Sequence, residues 1–64
     1  MLQLHYYLGL AYMRQGNAQA ALQSLNTASQ MPQLAAPCYK AMGDIYMQLG
    51  QTEQANKLYR LIQQ

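Results

Sequence analysis

The chain has 64 residues, of which four are basic (Arg14, Lys40, Lys57, Arg60) and two acidic (Asp44, Glu53), with one cysteine and one histidine. A chain this short builds one small core at most and needs support from a cross-link, a metal or association; the lone Cys38 excludes an internal disulfide, and with His5 as the only histidine no four-ligand zinc site can form. The weak, scattered positive charge argues against nucleic acid, no apolar run approaches the ~20 residues that span a bilayer, and no charged start leading into an apolar segment suggests a signal peptide.

Eleven glutamines, nine alanines and ten leucines favour helix, while valine and phenylalanine are absent and isoleucine occurs twice, so an all-α protein is expected. The first helix is expected over about 2–15. Leu4, Leu8, Ala11, Tyr12 and Gln15 share one side of it at roughly 100° per residue, and Gly9 flanks that stripe where a second backbone can come close. Gly16 suits a left-handed C-cap and Asn17 the N-cap of a second helix over about 18–31. Pro32 is read as ending that helix, and Pro37 is acceptable only in the first turn of a third helix over about 36–49. Gly50 repeats the break, and Thr52 suits the cap of a fourth helix over about 52–63. The turns are short, so successive helices should pack antiparallel as two hairpins.

Shifting the sequence by 34 positions leaves 30 overlapping pairs, six of them identical: Gly9/Gly43, Tyr12/Tyr46, Met13/Met47, Gly16/Gly50, Ala21/Ala55 and Gln30/Gln64. The glycines and alanines carry most weight, because they report backbone conformation and close approach rather than surface composition. Leu8/Met42, His5/Tyr39 and Leu25/Tyr59 add pairs of similar volume or ring character. Gly9 and Gly43 are thus read as helix-to-helix contacts, with Ala21 and Ala55 as the opposing small surfaces. A bulky residue at either glycine should open its hairpin at a cost of about 1–3 kcal/mol through overpacking.

A 34-residue helix-turn-helix period of this kind resembles the tetratricopeptide repeat. His5, Leu8, Gly9, Tyr12, Ala21, Leu25, Ala28 and Pro32 carry the resemblance in the first copy; Tyr39, Met42, Gly43, Tyr46, Ala55, Tyr59 and Ile62 carry it in the second. His5 and Tyr39 stand where the family often has tryptophan, Pro32 arrives one residue early, and Ile62 replaces a small residue. The resemblance implies two repeats, about 2–34 and 36–64, stacked as a short right-handed α-solenoid forming one module, expected to be part of a longer protein. Leu8, Gly9, Tyr12, Gly16, Ala21, Gly43, Tyr46, Gly50 and Ala55 are the expected structural positions.

The first helix of each repeat in such proteins lines a concave groove that holds a partner segment. The resemblance therefore points to Gln3, Tyr6, Leu10, Met13 and Arg14, and to Pro37, Lys40, Asp44, Met47 and Gln48. Tyr6, Leu10, Met13 and Met47 are apolar on a face that the intra-repeat core is not expected to need, and methionine adapts to varied ligands. Members that grip a terminal carboxylate use asparagine and lysine pairs here, whereas this chain has Leu10 and Asp44 at the asparagine positions. Lys40 is expected to pair with Asp44 one turn later. The implied function is a protein-interaction scaffold for a mainly apolar peptide or helix.

Two repeats are few for a solenoid, and Leu58, Tyr59, Leu61 and Ile62 make a broad apolar surface on the last helix. The alternative function is therefore self-association, either through Leu58 and Leu61 or by hairpin exchange across residues 33–37. Metal, cofactor and catalytic roles are not expected: no carboxylate pair, nucleophile-base set or phosphate-binding loop is present, His5 reads as a packing ring, and Cys38 as a buried small residue. Tyr6, Tyr7 and Arg14 suggest base stacking, but RNA readers of similar build use a 35-residue period and a strongly basic face, so nucleic acid is not an expected partner; nor is direct membrane insertion. Low charge with a Gln/Met/Ala-rich composition resembles bacterial members of the family, in cytoplasm or periplasm. Partner, compartment, organism, oligomeric state and pathway stay open at this level.

Overall fold

The computed structural model describes residues 2–62, which form four helices: α1 (Leu2–Arg14), α2 (Ala18–Ala28), α3 (Pro32–Gln48) and α4 (Thr52–Ile62). Two turns of the same geometry separate α1 from α2 and α3 from α4. Gly16 and Gly50 adopt φ of 77° and 78°, the left-handed region that a side chain disfavours. At the first turn the Asn17 amide donates to the Tyr12 carbonyl at 2.9 Å and the Gly16 amide to the Met13 carbonyl at 3.1 Å. At the second, Gln51 donates to Tyr46 at 2.8 Å and Gly50 to Met47 at 3.0 Å. Both are Schellman closures, which satisfy carbonyls that the helix end would otherwise orphan. Asn17 then caps α2, its side-chain oxygen accepting from the Ala20 amide at 3.3 Å.

Helix α1 packs on α2 and α3 on α4, giving two hairpins; the hairpins meet through α2 and α3, with a smaller contact between α1 and α3. The core lies at that junction. It consists of Ala21, Leu25 and Ala28 from α2 with Cys38, Ala41, Met42 and Ile45 from α3. Within each hairpin, glycine sets the approach. A Cβ on Gly9 would lie 2.6 Å from Leu25 Cγ, and one on Gly43 would lie 2.5 Å from Tyr59 Cε1, both far inside van der Waals contact. The architecture is all-α, a repeat of helical hairpins.

Four local readings change. Helix α2 ends at Ala28, three residues before the expected end, and Pro32 begins α3 instead of terminating α2. Its missing amide falls at a position where no intrahelical partner exists, and its fixed φ suits a first helical residue. Pro37 consequently sits inside α3. It removes the hydrogen bond to the Gln33 carbonyl, at a point where Gln33 and Pro37 are both exposed. Burial of Cys38, Ala41 and Met42 just beyond offsets the loss. The stretch 33–37, expected to connect the hairpins, is helical, and residues 29–31 make the connection. Thr52 is the first residue of α4 itself.

The face of α1 is the larger correction. Leu4 and Leu8 are 55% and 47% exposed, and Ala11, Gln15 and His5 are exposed as well. Leu8 therefore does not close its hairpin. Gly9 does so, together with half-buried Tyr6, Leu10, Tyr12 and Met13, which pack against the core. Helix α1 carries two apolar stripes, and periodicity alone does not say which one meets α2.

Candidate functional site

A groove of about 210 Å³ runs between α1 and α3, lined by Tyr6, Leu10 and Met13 on one wall and Pro37, Lys40, Ala41 and Asp44 on the other. One-turn spacing along each helix aligns these side chains: residues 6, 10 and 13 on α1 and 37, 40, 41 and 44 on α3. The α1 wall is half-buried, its inner atoms packed on the core and its rims facing the groove. The sequence places Tyr6, Leu10 and Met13 on an outward face that the core does not need. They serve both, because the hairpin junction is wide enough for α1 to touch α3.

Asp44 holds the α3 wall together. Its Oδ2 lies 3.4 Å from Lys40 Nζ, and its Oδ1 accepts a 2.7 Å hydrogen bond from the Tyr59 hydroxyl on α4. The Lys40 pair is the one expected from sequence; with the two side chains 71% and 42% exposed it contributes about 0.3–0.5 kcal/mol. The Tyr59 bond fixes the carboxylate to the same ring that fills the space beside Gly43. With one cation and one anion paired, the groove presents no uncompensated charge.

The hydrogen bond to Asp44 raises the pKa of Tyr59 above the ordinary 10.0, and burial and the carboxylate's negative charge push it the same way. A pKa raised on folding means that the folded chain favours the protonated phenol, so this contribution to stability is intact below pH ~10 and is lost as pH climbs through the raised value. In an absorbance titration at 295 nm we expect one late-ionising tyrosine, which Tyr59→Phe removes and Asp44→Asn moves to lower pH. Unchanged titration in Asp44→Asn would show that the hydrogen bond does not form in solution.

The other expected groove residues are not brought into it. Gln3, Arg14, Met47 and Gln48 are exposed or border other surfaces: Arg14 edges a separate hollow with Tyr7, Leu10, Ala11 and Gln15, and Gln48 edges one with Met13, Gly16, Ala18, Ile45 and Leu49. Met47 stands 49% exposed. The pair expected for self-association is split, since Leu58 packs against the core while Leu61 remains 48% exposed. Cys38 is fully buried, and burial pushes its thiol above the ordinary pKa, away from nucleophilic use. Among the described residues no cluster of His, Cys, Asp and Glu could hold a metal, and no helix is long and apolar enough to cross a membrane.

The period read from the glycines and tyrosines now has a geometrical counterpart, two hairpins with matching turn closures. A family model described as tetratricopeptide repeat matches the chain twice, over residues 2–32 and 36–63. The chain belongs to the tetratricopeptide repeat family. Searches of curated proteins and of solved structures return no match. Tetratricopeptide repeats are generally protein-protein interaction modules and typically non-enzymatic scaffolds. Within this tetratricopeptide repeat chain the sequence does not single out Tyr59 for the groove, yet its hydroxyl joins α4 to the groove wall. A signal was present: a tyrosine replaces Leu25 of the first repeat while Asp44 replaces Leu10, two polar changes at positions that meet in space.

Proposed function

We propose that the chain is an adaptor that holds a mainly apolar peptide or helix of a partner protein in the groove between α1 and α3. The observation that supports this most is the apolar wall of Tyr6, Leu10 and Met13 facing a Lys40–Asp44 pair already satisfied by its own partners. A ligand carboxylate would meet Lys40 only in competition with Asp44, and a ligand amine would meet Asp44 only in competition with Lys40 and Tyr59. An apolar side chain seated on Leu10 and Met13 displaces neither. Met13 adapts to its shape, and exposed Met47, about one turn beyond Asp44 on α3, offers a second flexible thioether to a ligand long enough to leave the groove.

Selection of peptides from a random displayed library on the 64-residue chain tests this reading. Enriched peptides should share spaced leucine, methionine or aromatic anchors, and Lys40→Glu with Met47→Glu should weaken their binding about tenfold or more while Leu61→Glu leaves it unchanged. Lys40 and Met47 are both exposed, so the variants should stay folded. Enrichment of acidic C-terminal tails, or amide chemical shifts that move only on α4, would sink the proposal.

A further inference from the structure

An ionised carboxylate offers about four lone-pair positions on its two oxygens. Asp44 has one engaged on each: Oδ1 accepts from the Tyr59 hydroxyl at 2.7 Å, and Oδ2 lies 3.4 Å from Lys40 Nζ. No other hydrogen bond reaches the carboxylate among the described residues. With its side chain 42% exposed and bordering the groove between α1 and α3, it meets its remaining demand from water. Leu10 holds the same register one repeat earlier and still borders that groove with α3 packed beside it. The register therefore opens onto the groove with or without a further hairpin behind it.

A ligand seated in the groove changes this balance. The side chains of Tyr6, Leu10, Met13, Pro37 and Ala41 present mainly carbon, so an occupant buries apolar surface against them and strips water from Asp44 at the same time. A carboxylate that loses water and gains no donor is costly, whereas an N–H or O–H aimed at it makes a charge-assisted bond. A purely aliphatic side chain brings the first outcome. Lysine or arginine would supply a donor, but the added cation would compete with Lys40 for the same oxygen. A neutral donor on an apolar body adds to the existing contacts and displaces none. Tryptophan and tyrosine combine the two, and the Tyr6 ring and the Met13 thioether favour an aromatic neighbour as well.

The accepting group is also held in place in advance. Tyr59 reaches it from α4 with its ring packed against Gly43, so a ligand does not have to order the carboxylate. The first repeat has no such device, because Leu10 and Leu25 stand where the second has Asp44 and Tyr59.

We propose that Asp44, positioned by Tyr59, is the specificity determinant of the groove and selects partner segments in which one anchor is a tryptophan or tyrosine donating its N–H or O–H to the carboxylate. This rests on the reading of the groove as a peptide site and narrows the peptides it takes.

Peptides selected from a random displayed library on the parent chain should share a tryptophan or tyrosine at one anchor. The same selection on Asp44→Leu with Tyr59→Leu should return leucine, methionine or phenylalanine there. That variant should stay folded, because it gives the second repeat the leucine pair that the first already packs. Methylating the indole nitrogen, or exchanging tyrosine for phenylalanine, in a peptide selected on the parent should weaken its binding to the parent about tenfold or more and to the double variant less than about twofold. Tyr59→Phe keeps the ring and removes the hydroxyl. It should shrink this discrimination while leaving the affinity for the methylated peptide unchanged, a split that a merely structural role would not produce. Equal binding of the two peptides to the parent, or selected anchors without donors, overturns the inference and leaves the groove reading standing. Lysine or arginine at that anchor overturns it too, making Asp44 an ion-pair partner instead. Amide shifts confined to α4 sink the groove reading and this inference with it.

Discussion

Gly9→Ala is expected to destabilise the chain even though alanine is the better helix former. In the middle of a helix the exchange alone favours alanine by about 0.8–1 kcal/mol. Against this, the new methyl would lie 2.6 Å from Leu25 Cγ, 2.7 Å from its Cδ2 and 3.4 Å from the Ala21 carbonyl oxygen. Leu25 is fully buried and has no route to solvent, so α1 and α2 must separate or Leu25 must leave its rotamer. Overpacking of this kind costs about 1–3 kcal/mol, so the net loss after the propensity gain should be about 0–2 kcal/mol, toward the upper end because Leu25 cannot move aside. The equivalent change in the second repeat should be milder. There the methyl meets the ring of Tyr59 at 2.5–3.0 Å, and that ring is half-buried and able to tilt outward. Tilting would separate the hydroxyl from Asp44, so Gly43→Ala should also abolish the late-ionising tyrosine. Urea unfolding followed by circular dichroism checks the order: equal midpoints for Gly9→Ala and the parent would remove Gly9 from the hairpin contact.

Leu25→Ala should have the largest effect of any single truncation. Leu25 is the largest side chain at full burial and stands where α1, α2 and α3 converge, touching the Gly9 site on one side and belonging to the inter-hairpin core on the other. Removing it costs about 2–5 kcal/mol in transfer and cavity energy. A 64-residue domain has roughly 3–10 kcal/mol in all at ~0.05–0.15 kcal/mol per residue, so much of the population should be unfolded near 37 °C. The double variant Gly9→Ala with Leu25→Ala is the sharper measurement. The methyl group added at position 9 would occupy space that the lost isobutyl group vacates, so the double variant should be more stable than the sum of the two losses by about 0.5–3 kcal/mol. Strict additivity would mean that residues 9 and 25 do not touch.

These two residues also show what was legible beforehand. The 34-residue register, the glycine contacts and both turns could be read from sequence, because glycine has few reasons to recur at helix ends, as Gly16 and Gly50 do, other than backbone conformation. The faces of α1 could not. Leu4, Leu8 and Ala11 form as good a stripe as Tyr6, Leu10 and Met13, and which of them meets α2 depends on the phase of Gly9, a residue with no side chain to show its direction. The prolines misled for a related reason: a missing amide breaks a helix only where a hydrogen bond is due, and Pro32 stands where none is. The groove was legible in part, through Tyr6, Leu10, Met13, Pro37, Lys40 and Asp44, while Gln3, Arg14, Met47 and Gln48 lie outside it. Those four were placed by repeat register, which fixes the helix a residue stands on but not how far along that helix the two walls stay close enough to share a groove.

The dimensions of the molecule carry a last consequence. Its Cα atoms span 30 × 29 × 12 Å, a plate one hairpin thick, and few side chains in such a plate lie more than one neighbour from water. Most contacts join helices adjacent in sequence, so little chain must be closed into long loops before packing begins to repay it. Folding should therefore be fast and governed by local steps, with one hairpin templating the next across the line from Leu25 to Met42. Stability then behaves as a property of neighbours in a row, so that covering either broad end of the plate strengthens every contact behind it.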